Sequence, residues 1–163
     1  MSTSDRSATE RPGRVLGLDP GQRWVGVAIS DDEGRLALPL ATVDRRAEPD
    51  DGLGRIKTFA EAEGVTRLVI GIPLGPDGGE DDQAAGFRAY GDRIAAATGL
   101  PLEMQNERFS NPLAAVAPPT KRRRGRTSVA QHKGRREREH ATAAANILQR
   151  WLDFRRTSST RAE

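Results

Sequence analysis

Three short apolar runs separated by turn signals open the chain, and that opening restricts the fold more than any other feature. Residues 14–19 (RVLGLD), 24–30 (WVGVAIS) and 35–43 (RLALPLATV) each read as a strand. Pro20-Gly21 follows the first run, and Asp31-Asp32-Glu33-Gly34 follows the second. Strands joined by such short links pair as antiparallel neighbours. Pro39 cannot donate to a ladder, so the third strand is expected at a sheet edge.

The periodicity then changes. In residues 50–63, Leu53, Ile56, Phe59 and Ala60 recur at helical spacing, with Gly64 placed to end the helix. Residues 66–71 (TRLVIG) read as a buried parallel strand. Residues 81–98 form a second amphipathic helix, with Phe87, Tyr90, Ile94 and Ala97 on one face and Gly99 as its stop. A fifth strand is expected at 100–105, then a short helix at 112–117 behind Asn111 as N-cap. The last helix is expected over 137–154, where Ala141, Ala144, Ala145, Leu148 and Leu152 repeat at helical spacing. This order predicts a single α/β domain over residues 13–155, a mixed five-stranded sheet with helices on its faces. Residues 1–12 and 156–163 are polar and aperiodic, and are expected to be tails.

Composition removes several function classes. The chain has no cysteine, which excludes disulfides, thiolate zinc sites and cysteine nucleophiles. No apolar run approaches the ~20 residues that span a bilayer, and the first residues lack the apolar core of a signal peptide. A cytoplasmic protein without a membrane partner is the expectation. The net charge of +3 understates a local concentration of base. Lys121, Arg122, Arg123, Arg124, Arg126, Lys133, Arg135, Arg136 and Arg138 follow one another with Glu137 as the only acid among them. A basic loop over 118–136 is expected, either merely solvated or acting as a phosphate-contacting arm. With 4% aromatic residues there is little for bases to stack on, so nucleic-acid affinity would be mainly electrostatic.

Asp19 closes the first strand, where a carboxylate projects from the sheet end beside a glycine turn. Taken alone, an Asp before Pro-Gly is an ordinary turn former. Its context is more specific. Asp19, Gly21, Gly26, Val27, Ala28 and Ser30 fit the pattern D-x-G-x-x-x-x-G-V-A-x-S. Gly71-Ile72-Pro73-Leu74, followed by Asp77 and Gly78 and then Gln83-Ala84, fits a G-[LI]-P-L-x-x-x-G loop. Asn106-Glu107-Arg108-Phe109-Ser110 is similar to D-E-R-[LF]-[ST]-T, and residues 141–152 (ATAAANILQRWL) to a closing helix. In this order the four segments resemble the YqgF (RuvX-like) family of pre-16S rRNA nucleases and resolvase-like proteins, and they cover nearly the whole periodic chain.

The resemblance implies a ribonuclease H-like fold and a carboxylate cluster that binds Mg²⁺ or Mn²⁺ for phosphodiester hydrolysis. By position it implies Asp19 and Glu107 as catalytic metal ligands, and His140 where the family carries a third acid. Arg108 would contact phosphate or pair with a carboxylate. The chain departs from the pattern at Asn106, where the family has Asp, at Asn111, where it has Thr, and at His140. His140 shares a helix face with Ala144, Ile147 and Trp151, and a position near the helix N-terminus would favour its neutral, metal-binding form. Imidazole suits Mn²⁺ better than Mg²⁺. Glu137, three residues earlier, is a further candidate ligand or a first-turn acid that stabilises the helix dipole.

Glu107 is expected to leave a strand two places from Asp19, so the two carboxylates meet only if its loop folds back. Asp77, Glu80, Asp81 and Asp82 read as a solvated loop and a helix start. The implied activity is an endonuclease on structured RNA, processing the 5′ end of pre-16S rRNA. A Holliday junction resolvase acting on structured DNA, and a nucleic-acid-binding protein without catalysis, are the alternatives. A monomer or weak homodimer is expected.

Overall fold

Apolar residues alternate along the strands and recur at helical spacing between them, and the result is a sheet covered on both faces. The computed structural model describes residues 13–107 and 129–161, with side chains from residue 134 onward in the last helix. The expected short helix at 112–117, the residue 1–12 tail and the basic residues 121–126 lie outside these residues. The hairpin trio is β1 (Arg14–Pro20), β2 (Trp24–Ser30) and β3 (Ala37–Asp44), followed by β4 (Val65–Ile72) and β5 (Leu102–Asn106). They form one mixed sheet in the order β3-β2-β1-β4-β5. β1 pairs antiparallel with β2 and parallel with β4, and β5 pairs parallel with β4. β3 is an edge strand, as β5 is at the other side, and Pro39 sits where the β2–β3 register shifts, so its missing N–H falls at a bulge.

Among the described residues three helices cover this sheet: α1 (Leu53–Ala62), α2 (Asp82–Thr98) and α3 (Val129–Thr160). Asp81 caps α2, accepting a hydrogen bond from the Ala84 N–H at 2.8 Å, and Gly99 ends it in the left-handed conformation. α1 and α2 pack on the face that presents Leu16, Leu18, Leu68, Ile70 and Ile72, together with Ile56, Tyr90 and Ile94. α3 packs on the opposite face, where Val15, Ala28, Ala37 and Val69 meet Ala144, Ala145, Ile147, Leu148, Trp151 and Leu152. Trp151 Nε1 donates to Glu103 Oε2 at 2.5 Å, and Glu103 also pairs with Arg67 at 2.8 Å, tying α3 to the β5 side.

α3 differs from the expectation at both ends. It starts at Val129 rather than near residue 137, so Lys133, Arg135 and Arg136 belong to a helix and not to a loop. It also runs on to Thr160, so most of the expected C-terminal tail is helical. Ala130, Gln131, Lys133, Arg135 and Arg136 are good helix formers, and they extend a helix already nucleated on the sheet without adding any apolar periodicity. At the other end the Thr157, Ser158 and Thr160 hydroxyls donate to carbonyls of the preceding turn. No helix among the described residues is long and apolar enough to cross a membrane.

Candidate active site

Strand alternation sends Val15, Gly17 and Asp19 of β1 to the α3 face, and Leu16 and Leu18 to the other. Asp19 lies directly opposite Gly26 of β2, so both face α3. On the other side, Leu18 pairs with Ile70, and Gly71 of β4 follows on the α3 face. Three glycines therefore surround Asp19. A Cβ at Gly26 would overlap the carbonyl oxygen of His140, and one at Gly17 would stand 2.7 Å from Leu148 Cβ. These two positions let the α3 backbone lie close to the sheet.

Gly71 has a different neighbour. A Cβ there would stand 2.5 Å from Glu107 Oε1 and 3.0 Å from Glu107 Cγ. Glu107 follows the end of β5, two strands away from β1, as anticipated. Its side chain lies over the bare surface of β4 and hydrogen-bonds Asp19. The two carboxyl groups thus meet across the intervening strand.

The pair is electrostatically loaded. Burial pushes the Asp19 carboxyl up to about 8, and the hydrogen bond to Glu107 and its negative charge act in the same direction. Two hard oxygen donors thus face each other, and the Asp19 carboxyl is the one whose ionisation is opposed.

The turn after Asp19 is held from below. Gly21 N–H donates to the Trp24 carbonyl at 2.8 Å, closing the link between β1 and β2. Arg45 donates to the Gly21 carbonyl at 2.7 Å and forks onto Asp51 at 2.8 and 2.6 Å. Its guanidinium also lies 3.9 Å from the centre of the Tyr90 ring, and Tyr90 donates to the Asp51 carbonyl at 2.8 Å. Asp51 is the one non-glycine residue with positive φ among the described residues, and the Arg45 hydrogen bond holds its carboxyl below the usual range. Nothing in the sequence around Arg45 signals this buttress. Gly71 did carry a signal, since a glycine inside a strand marks close approach by another group.

A family model described as "RuvX: Holliday junction resolvase" matches residues 13–154. The chain belongs to the RuvX family. It is 39% identical over 142 residues to a Chloroflexus aggregans protein named "Putative pre-16S rRNA nuclease", covering 87% of this chain and 94% of that one. An Anaeromyxobacter (strain K) protein of the same name is 40% identical over 142 residues, covering 87% and 98%. Among solved structures it is similar to Thermus thermophilus RuvC in complex with a Holliday junction substrate, with a TM-score of 0.51 and 15% identity over 88% of this chain and 95% of that one. That likeness concerns the fold, which is ribonuclease H-like, as the motifs implied.

The other residues that the RuvX motifs singled out are placed unevenly. His140 is half-buried on the same helix face as the buried Ala144, Ile147 and Trp151, as its spacing required. It stands well inside α3 and not near its N-terminus, so the helix dipole gives no reason for a neutral ring there. Among the described residues no three His, Asp or Glu side chains gather into a metal-holding group, so neither His140 nor Glu137 joins the Asp19–Glu107 pair as a third member. Glu137 lines a groove against Pro39–Thr42 on the β3 side, and its carbonyl accepts from Thr42 Oγ1. Arg135 and Arg136 are exposed on α3, and Arg135 pairs with Glu139 at 2.9 Å. Arg108, Lys121, Arg122, Arg123, Arg124 and Arg126, and the Lys133 side chain, lie outside the described residues. In the acidic loop Asp77 accepts from the Gly79 N–H at 2.9 Å and Asp81 caps α2, in keeping with a turn and a helix start.

Proposed function

We propose that this RuvX-family chain is a divalent-metal-dependent endonuclease acting on structured RNA, at the 5′ end of precursor 16S rRNA. The observation that carries the reading is the contact of Asp19 with Glu107 across Gly71. Two half-buried carboxyls in contact, one of them resisting ionisation, fit a divalent cation, which takes hard oxygen donors and displaces a proton from Asp19. Asp19 and Glu107 would hold it, and carboxylate oxygens alone accommodate Mg²⁺ and Mn²⁺ equally well. A bound cation supplies the positive charge that activates water for attack and stabilises the departing oxygen.

The chain's own residues do the rest. The glycines around Asp19 keep side chains off the sheet surface, and the Arg45 tie fixes the Pro20-Gly21 turn so that Asp19 cannot swing away. Arg135 and Arg136, with Lys133, Arg108, Lys121, Arg122, Arg123, Arg124 and Arg126, contact phosphates and give binding that weakens steeply with salt. Alanine at residues 122–124 flattens that salt slope; an unchanged slope removes the basic run from the interface. His140 comes last in this assignment, because it covers the pair's face of the sheet without being gathered with it.

The family description and the relatives' name support two substrates, and one experiment separates them. A labelled precursor 16S rRNA fragment and a four-way DNA junction are incubated with the protein in Mn²⁺, Mg²⁺ or EDTA, beside Asp19→Asn and His140→Ala. Metal-dependent RNA cutting that is lost in Asp19→Asn is the expected result. Symmetric cutting of the junction alone would make the chain a resolvase. Tight, metal-independent binding without any cutting would make it a binding protein on a nuclease scaffold. Full cutting by His140→Ala would leave the histidine outside the ligand set.

A further inference from the structure

We propose that Gly71 is a positioning residue, whose missing side chain is the passage through which Glu107 crosses β4 to reach Asp19. The inference deepens the proposed metal site and rests on that reading. Adjacent strands lie about 4.8 Å apart, so β1 and β5, on either side of β4, are separated by about 10 Å. An aspartate and a glutamate close that gap only by meeting over the strand between them.

The backbone gives no reason for a glycine there. It lies inside a buried strand rather than at a turn, and its φ is not in the left-handed region that requires glycine. In such a place glycine costs roughly 0.5–1 kcal/mol relative to alanine. What fills its empty space is Glu107 Oε1 at 2.5 Å and Cγ at 3.0 Å, with Ile147 Cδ1 at 2.5 Å as the other neighbour. The Ile147 contact is the tip of a flexible side chain. Glu107 Oε1 is also a side-chain tip, but moving it displaces a carboxylate that touches Asp19. Gly17 and Gly26 differ in this respect, because helix α3, not an acidic side chain, occupies their space.

The test separates the two neighbours. Ile147→Val removes Cδ1, so in the Gly71→Ala/Ile147→Val double variant only Glu107 is in conflict. Mn²⁺ affinity is measured on the full chain by electron paramagnetic resonance titration without substrate, with thermal unfolding of the metal-free proteins alongside. The expected result is at least tenfold weaker Mn²⁺ binding by the double variant than by Ile147→Val, at a closely similar melting temperature. Equal affinity in the two would overturn the proposal. If the double variant does not fold, adding Glu107→Ala restores folding if the clash is with Glu107; no restoration also overturns it. A wild-type chain that binds no Mn²⁺ would defeat the metal-site reading instead, and the Glu107→Ala rescue would then decide the role of Gly71 alone.

Discussion

The two faces of the sheet are built from the same strands and do opposite things. In Leu16-Gly17-Leu18-Asp19 and Val69-Ile70-Gly71-Ile72, alternate residues point to opposite sides. Toward α1 and α2 they are large aliphatics with no exposed surface, and each such side chain contributes roughly 1.5–3 kcal/mol on burial. Toward α3 they are Val69, two glycines and one aspartate. The first face only stabilises the fold. The second also packs a core against α3, but at the carboxyl ends of the strands it is emptied so that a backbone and a carboxylate can approach, and it keeps a half-buried acid whose ionisation opposes folding. Functional sites commonly carry such a local cost against the stability of the whole.

Substitutions on the two faces should therefore separate activity from stability. The largest effect is expected at Asp19. Asp19→Asn should lower metal-dependent cleavage on the order of 10³-fold, the scale of losing a main electrostatic stabiliser, while raising the melting temperature of the metal-free protein. A variant that loses both together would erase the distinction. On the opposite face, Leu68→Ala should cost about 2–5 kcal/mol in denaturant unfolding through the cavity it leaves. Its cleavage rate per folded molecule should stay close to wild type. A large rate loss at full folding would mean that the two faces are coupled.

Arg45→Ala should be intermediate, costing about 1–3 kcal/mol because the Gly21 carbonyl and the Asp51 carboxylate lose their partner. Arg45→Lys should recover only part of this, since an ammonium cannot fork onto Asp51. Full recovery would reduce the tie to simple charge.

The smallest effect is a pH dependence. Asp19 binds its proton more tightly in the folded chain than in the unfolded one. Its contribution to stability is fully present below the ordinary carboxylate range and is lost as pH rises toward about 8. The metal-free melting temperature should fall across that window more in wild type than in Asp19→Asn. Parallel pH profiles for the two would contradict the raised Asp19 carboxyl.

Much of the architecture could be read from the chain because it depends on local periodicity. The hairpin trio, the edge position marked by Pro39, and the helices closed by Gly64 and Gly99 all follow from alternation and turn chemistry. The ends of α3 could not be read that way. Residues 129–136 and 155–160 are helical because they extend a packed helix, and their polar composition resembles that of a loop. The site was legible in part. Asp19, by itself an ordinary turn former before Pro-Gly, was marked by the motif around it, as Glu107 was. Their meeting depends on the order of the strands and on Gly71, which is a long-range property with no local pattern. The dipole argument for His140 failed because it depended on where α3 begins.

The most direct measurement of the central claim is the number of protons released when a divalent cation binds. Calorimetric titration of the chain with Mn²⁺ at pH 7, in buffers of different ionisation enthalpy, gives that number. With the Asp19 carboxyl raised to about 8 and its proton displaced by the cation, release should be close to one proton per cation, and it should vanish in Asp19→Asn. Tight binding with release near zero, unchanged in Asp19→Asn, would show that the cation binds elsewhere and that this carboxyl pair is not the metal centre.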